Sequence, residues 1–217
     1  MPEIIFNGPD GRIEGRYKKS DNPDAPIVLI LHPHPQHGGT MNNKVIYTMF
    51  HTFANQGFST LRFNFRGVGK SQGAFSDGEG ELADAACALD WLQSQNEGCH
   101  NIWIAGFSFG SWIAMQLLMR RPEITNFVAV APPVNMFDFS FLTPCPTDGL
   151  ILQGDNDSIV PVDDVDKLVD KLDSQRNINI TYERFKGVDH FFKAKEDVIA
   201  KTINDYIADK NNPELPI

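Results

Sequence analysis

Ser108 stands between two glycines in "GFSFG" (106–110), after the apolar run 102–105 and before a helical pattern. A hydroxyl at so tight a strand-to-helix turn sits on strained backbone, and glycines at the flanking positions relieve the crowding. The turn lifts the hydroxyl above the sheet, beside a helix N-terminus that favours negative charge. Such a hydroxyl becomes a nucleophile only when a base takes its proton and a third group orients that base. Of six histidines, His190 alone follows Ser108, in "KGVDHFF". Two carboxylates, Asp155 and Asp157, lie between them in "GLILQGDNDSIVP". Either suits a turn. Asp157 is the preferred acid, because its longer excursion from the strand gives more reach toward the imidazole.

These residues need a frame that brings strand ends together. Short apolar runs predict strands over 4–6, 12–18, 27–31, 59–63, 102–105, 126–130, 149–152 and 178–185. Helical periodicity falls at 44–56, 80–94, 111–121, 162–173 and 193–208. Alternation of wholly apolar strands with helices points to a mostly parallel sheet covered on both faces. The first two runs, joined by "NGPDG", read as an antiparallel hairpin at one edge. One α/β domain over 1–210 is expected, with 211–217 as a frayed tail. In such sheets ligands bind beyond the carboxyl ends of the strands, where Ser108, Asp157 and His190 all fall.

The segments "GFSFG", "GDNDSIVP" and "GVDHFF", in that order, resemble the nucleophile elbow, acid loop and histidine loop of the α/β-hydrolase superfamily. "LHPHPQHGGTMNNKV" and "LRFNFRGVGKSQGAF" are similar to a group of small, lidless bacterial hydrolases, esterase-like and related to dienelactone hydrolases. The resemblance implies a serine carboxylesterase with a Ser108-His190-Asp157 triad, an acyl-enzyme intermediate, no cofactor and a small-molecule ester substrate. The same triad acting on a peptide, thioester or lactone is the alternative. The resemblance also assigns two oxyanion donors. One is the backbone N–H of Phe109. The other is expected from His34, where relatives carry His-Gly-X and this chain carries His32-Pro33-His34. Because prolines 33 and 35 have no N–H, Gln36 or the turn His37-Gly38-Gly39 are further candidates. Arg66 in "FRGVGKSQG" is expected to tie loops together. Asn64 stands where a phosphate-binding loop needs its first glycine.

"HPHPQH" also raises a rival. His32, His34 and His37 have the spacing of the zinc loop of metallo-β-lactamase-type hydrolases, but Gln36 occupies that motif's acidic position. A zinc hydrolase or a non-catalytic binding scaffold is therefore the reading from a different class. Residues 131–148 are too few for a large cap, so an open site is expected. Phe107, Phe109 and the phenylalanines at 137, 139, 141, 191 and 192 are candidates to line it. "DGEGELADA" reads as a solvated first turn of a helix. The net charge of −9, with no basic cluster, argues against nucleic-acid and membrane partners. Three scattered cysteines and the lack of a signal-peptide pattern suggest a cytoplasmic protein. Oligomeric state is not legible.

Overall fold

The computed structural model describes residues 3–211. Its eight strands are β1 (Glu3–Gly8), β2 (Gly11–Lys18), β3 (Ile27–Leu31), β4 (Ser59–Phe63), β5 (Ile102–Phe107), β6 (Ile124–Val130), β7 (Gly149–Gly154) and β8 (Ile180–Phe185). Five helices connect or follow them: α1 (Lys44–Asn55), α2 (Glu79–Ser94), α3 (Phe109–Leu118), α4 (Val162–Asp173) and α5 (Glu196–Asn211). The strands form one sheet in the order β1-β2-β4-β3-β5-β6-β7-β8. The expected hairpin is there: β1 and β2 pair antiparallel, β2 pairs antiparallel with β4, and every later pairing is parallel.

The apolar strands are explained by what covers them. Ile102 and Ile104 of β5 pack with Leu89 of α2, Leu117 of α3 and Val165 of α4. Trp103, Ala105 and Phe107 point to the opposite face, against Phe50 of α1 and Ile203 of α5. A strand buried on both faces has no polar alternation to display.

Two helices start away from the sequence expectation, for local reasons. Helix α3 begins at Phe109, immediately after the Ser108 turn, and ends at Leu118. Pro122 keeps the preceding residue off helical geometry, so the run does not reach 121. Helix α5 begins at Glu196 rather than 193 because Phe192 and Ala194 hold φ of 50° and 55°, outside the right-handed helix. It continues to Asn211. Of the expected tail at 211–217, only that residue is described, and it is helical; 212–217 lie outside the described residues.

The acidic run that opens α2 is only in part a solvated face: Asp77 and Glu79 are exposed, as expected. Glu81 and Asp84 are buried. Glu81 accepts the N–H groups of Ser76 and Gly78 at 3.0 and 2.8 Å, capping the incoming loop. Asp84 accepts from Arg66 Nε and Nη2 at 2.9 and 2.8 Å and from the Arg66 N–H at 3.0 Å. Arg66 thus ties the loop after β4 to α2, the structural role its motif suggested. No helix among the described residues is long and apolar enough to cross a membrane. Between β6 and β7 the chain makes only a short 3-10 turn, Ser140–Leu142, so no large cap is built there.

Candidate active site

Ser108 sits at the end of β5 with φ 52° and ψ −124°, a strained conformation for a residue with a side chain. The flanking glycines serve close approach. A Cβ on Gly106 would lie 2.4 Å from Gly110 O, and one on Gly110 would lie 2.3 Å from Leu31 O. The Ser108 N–H donates to Val130 O at 2.9 Å, and its carbonyl accepts from Ser111 N and Ser111 Oγ. The turn is held from both sides.

His190 lies between β8 and α5, and its Nε2 is 3.1 Å from Ser108 Oγ. Its Nδ1 is 2.7 Å from Asp157 Oδ2. Serine, imidazole and carboxylate therefore form one hydrogen-bonded line, buried from solvent. Phe107 forms the floor beneath the imidazole, ring centroids 5.2 Å apart.

The acid is held by its own turn. Asp157 Oδ1 accepts the N–H groups of Ile159 and Val160, both at 2.8 Å. Burial pushes its carboxyl up, but the His190 hydrogen bond and the Val160 and Ile159 N–H groups outweigh that, holding it below the ordinary carboxylate range. Asp155 does something different. Its Oδ1 accepts the Gly187 N–H at 2.6 Å, while Asp155 N donates to Phe185 O and Asn156 N to Val188 O. These bonds lace the acid loop to the histidine loop.

Gln153, unmentioned among the sequence candidates, is fully buried. Its Nε2 donates to Asp157 Oδ2 at 3.1 Å and to Val160 O at 3.0 Å. The available signal was a lone polar side chain ending the apolar strand "GLIL".

The loop after β3 supplies the opposite wall. Gln36 N donates to His34 Nδ1, and the His37 and Gly39 N–H groups both donate to His34 O. Three of the alternative donors are therefore committed within the loop. Phe109, as the first residue of α3, has no helical acceptor for its N–H. Gly39 is needed for packing: a Cβ there would fall 2.0 Å from Pro33 O.

The three histidines do not converge. His32 is buried, with Nδ1 2.6 Å from Pro33 O and Nε2 accepting the Phe65 N–H at 3.0 Å. Both ring nitrogens are occupied, and burial lowers its pKa to about 4. His34 and His37 stack on each other at 4.4 Å. No group of three His, Cys, Asp or Glu side chains among the described residues is placed to hold a metal.

Above Ser108 opens a cleft of about 300 Å³, lined by His34, His37, Asn43, Phe109, Met136, Phe137, Ile159, His190 and Phe191 among others. None of its lining side chains is Asp, Glu, Lys or Arg. Of the expected phenylalanines, 109, 137 and 191 line it. Phe107 and Phe192 are core residues, Phe139 faces a neighbouring cleft, and Phe141 stacks on Phe139 against the core, away from this cleft.

Comparison with known proteins fits this arrangement. The family model for X-Pro dipeptidyl-peptidases (S15 family) matches residues 19–196. The uncharacterized protein RP471 of Rickettsia prowazekii (strain Madrid E) is 57% identical over 211 residues, covering 95% of this chain and 89% of that protein. The crystal structure of ATU1826 from Agrobacterium tumefaciens, a candidate α/β hydrolase of unknown function, is 55% identical with a TM-score of 0.96 and covers 100% of both chains. An α/β serine hydrolase homologue from Coxiella burnetii is 32% identical with a TM-score of 0.84, over 94% of this chain and 96% of its own. Strand order, the Gly-flanked Ser108 turn and these matches lead to one assignment: the chain belongs to the family described by the X-Pro dipeptidyl-peptidase (S15) model, within the α/β serine hydrolases.

Proposed function

We propose that the protein is a carboxylesterase acting on small, neutral, short-acyl esters. Ser108 Oγ attacks the ester carbonyl as His190 Nε2 takes its proton, and Asp157 stabilises the imidazolium. The N–H groups of Phe109 and His34 receive the negative charge that develops on the carbonyl oxygen. His190 returns the proton to the departing alcohol. Water then attacks the acyl-enzyme by the same route, His190 acting again as base. No step draws on a cofactor.

One observation carries this reading: Oγ, imidazole and carboxylate stand in a single line at 3.1 and 2.7 Å. The cleft argues for the substrate class. Its volume is at the small end for ligand sites, and an uncharged lining suits an uncharged acyl group. Met136, Ile159 and Phe191, exposed by 52%, 39% and 57%, rim its mouth with apolar surface. A peptidase releasing N-terminal dipeptides has to hold an α-ammonium group, which calls for a carboxylate in the cleft. None lines it.

A fluorophosphonate probe should label the wild type at Ser108 and leave Ser108→Ala unlabelled. p-Nitrophenyl acetate and butyrate should turn over faster than the laurate ester, and Ser108→Ala should lose at least about 10⁴-fold in kcat/KM. Cleavage of Gly-Pro-p-nitroanilide without turnover of either short ester would replace the esterase reading with a peptidase.

A further inference from the structure

His190 gives the proposed reaction a direction. Its Nε2, 3.1 Å from Ser108 Oγ, has to return a proton to the departing oxygen, so the alcohol must lie within hydrogen-bond reach of the imidazole. The carbonyl oxygen turns the other way, toward the Phe109 N–H. A side chain beside the imidazole in the cleft therefore stands beside the alcohol half of the substrate. Phe107 lies beneath the imidazole and belongs to the core. The neighbour on the cleft side is Phe191. Its ring stands perpendicular to the imidazole, centroids 5.3 Å apart at 88°, and lines the cleft above Ser108.

The histidine loop holds Phe191 outward with an anchor and two strained residues. Phe192, next in the chain, is fully buried and meets Phe185 with ring centroids 6.0 Å apart. Phe192 and Ala194 are both in the left-handed region, which is uphill for residues with a side chain. Asp189 closes the turn: its carbonyl accepts the Phe192 N–H at 3.1 Å, and its Oδ1 accepts the Lys193 N–H at 3.0 Å. With Phe192 fixed in the core, Phe191 is left in the open. Phe191, Met136 and Ile159 are three of the five large apolar side chains exposed among the described residues, and all three line this cleft. Apolar exposure gathered at one mouth marks a ligand surface, whereas scattered exposure does not. Beyond Phe191 lies a second hollow of about 250 Å³, and there the lining turns to Lys44, Asp189, Lys193 and Glu196. Phe191 is the ridge between an uncharged cleft and a charged one.

We infer that Phe191 is the specificity-determining wall for the alcohol half of the substrate, and that the alcohol it selects carries a single aromatic ring. The inference rests on the esterase reading, which concerned the acyl half. A flat ring packed on Phe191 gains about two- to ten-fold beyond its area alone. A longer apolar group would run past the ridge onto four charged side chains and gain nothing there.

Benzyl and cyclohexylmethyl acetate share an acyl group and release alcohols of similar size and acidity, so the ratio of their kcat/KM values reports the alcohol side. The wild type should favour the benzyl ester by about two- to ten-fold, and a biphenylmethyl ester should do no better than benzyl. Phe191→Ala should abolish the benzyl preference through a higher KM, because the contact is present before and during the reaction. Phe191→Tyr, which keeps the ring, should retain it. The ratio of p-nitrophenyl acetate to butyrate, which varies the acyl half, should be the same in wild type and Phe191→Ala. Fluorophosphonate labelling of Ser108 separates this inference from the esterase reading. If the wild type is labelled and cleaves the acetates, but its benzyl preference matches that of Phe191→Ala or the acyl ratio moves instead, the role of Phe191 is overturned and the esterase reading stands. A biphenylmethyl ester better than benzyl overturns the single-ring limit. If Ser108 is unlabelled and no ester is cleaved, both readings fall.

Discussion

Arg66 and Arg62, four residues apart, show two solutions to the burial of charge. Arg66 meets a protein carboxylate: Asp84 takes its Nε, its Nη2 and its backbone N–H. Arg62 meets two aromatic rings, a carbonyl and an amide, and keeps one N–H unmatched. The same contrast separates the Ser108 cleft from the β2–β4 edge. In the cleft Ser108, His190 and Asp157 satisfy one another in line, and the nearby orphan is a single acceptor, Gln153 Oε1. At the edge two arginines, Arg16 and Arg62, stand opposite each other across the β2–β4 ladder. Where a fold completes its own polar network, it builds a preorganised site.

The sharpest way to break this contrast is to cut the line at Asp157. Asp157→Asn should lower kcat by about 10⁴-fold with the fold intact, because the imidazole loses the carboxylate that sets its tautomer. Steady-state kinetics and circular dichroism measure both parts. Asp84→Ala should cost about 3–5 kcal/mol in chemical denaturation, because it leaves the Arg66 guanidinium buried without its carboxylate. A loss no larger than a surface substitution gives would remove the distinction between the two arginines.

His32 predicts a smaller effect with a definite direction. Its folded pKa, about 4, is below the ordinary 6.5, so the unfolded chain takes up the proton first. The stability it contributes is complete above pH 6.5 and is lost as pH falls toward 4. The loss should approach about 3 kcal/mol. Denaturation midpoints across that window, compared with His32→Asn, isolate the contribution. The smallest change should come from Asp155→Asn. It leaves the Asp157–His190 bond in place and keeps an acceptor for Gly187, so kcat should stay within a few-fold of wild type.

Much of this was legible in the order of residues. "GFSFG" announced a strained hydroxyl because only a crowded turn needs glycine on both sides, and the Cβ approaches at Gly106 and Gly110 explain that need. Wholly apolar runs marked strands buried on two faces, and "NGPDG" marked the edge hairpin. Other features were hidden for physical reasons. "DGEGELADA" looked like solvated charge because a carboxylate reads the same whether it faces water or a buried arginine. Asp84 becomes structural only when the loop carrying Arg66 folds over it. The spacing of His32, His34 and His37 suggested a metal, but the loop turns His32 into the interior, where Pro33 O and Phe65 N–H occupy its ring.

What the sequence determined by itself was local: turn chemistry, apolar periodicity and the order of a serine, an acid and a histidine after three of the strands. Tertiary structure decided which aspartate met the imidazole, which histidine was buried, and that two arginines on neighbouring strands would face each other. Those outcomes depend on distances between segments far apart in the chain. Only strand register and loop packing set such distances.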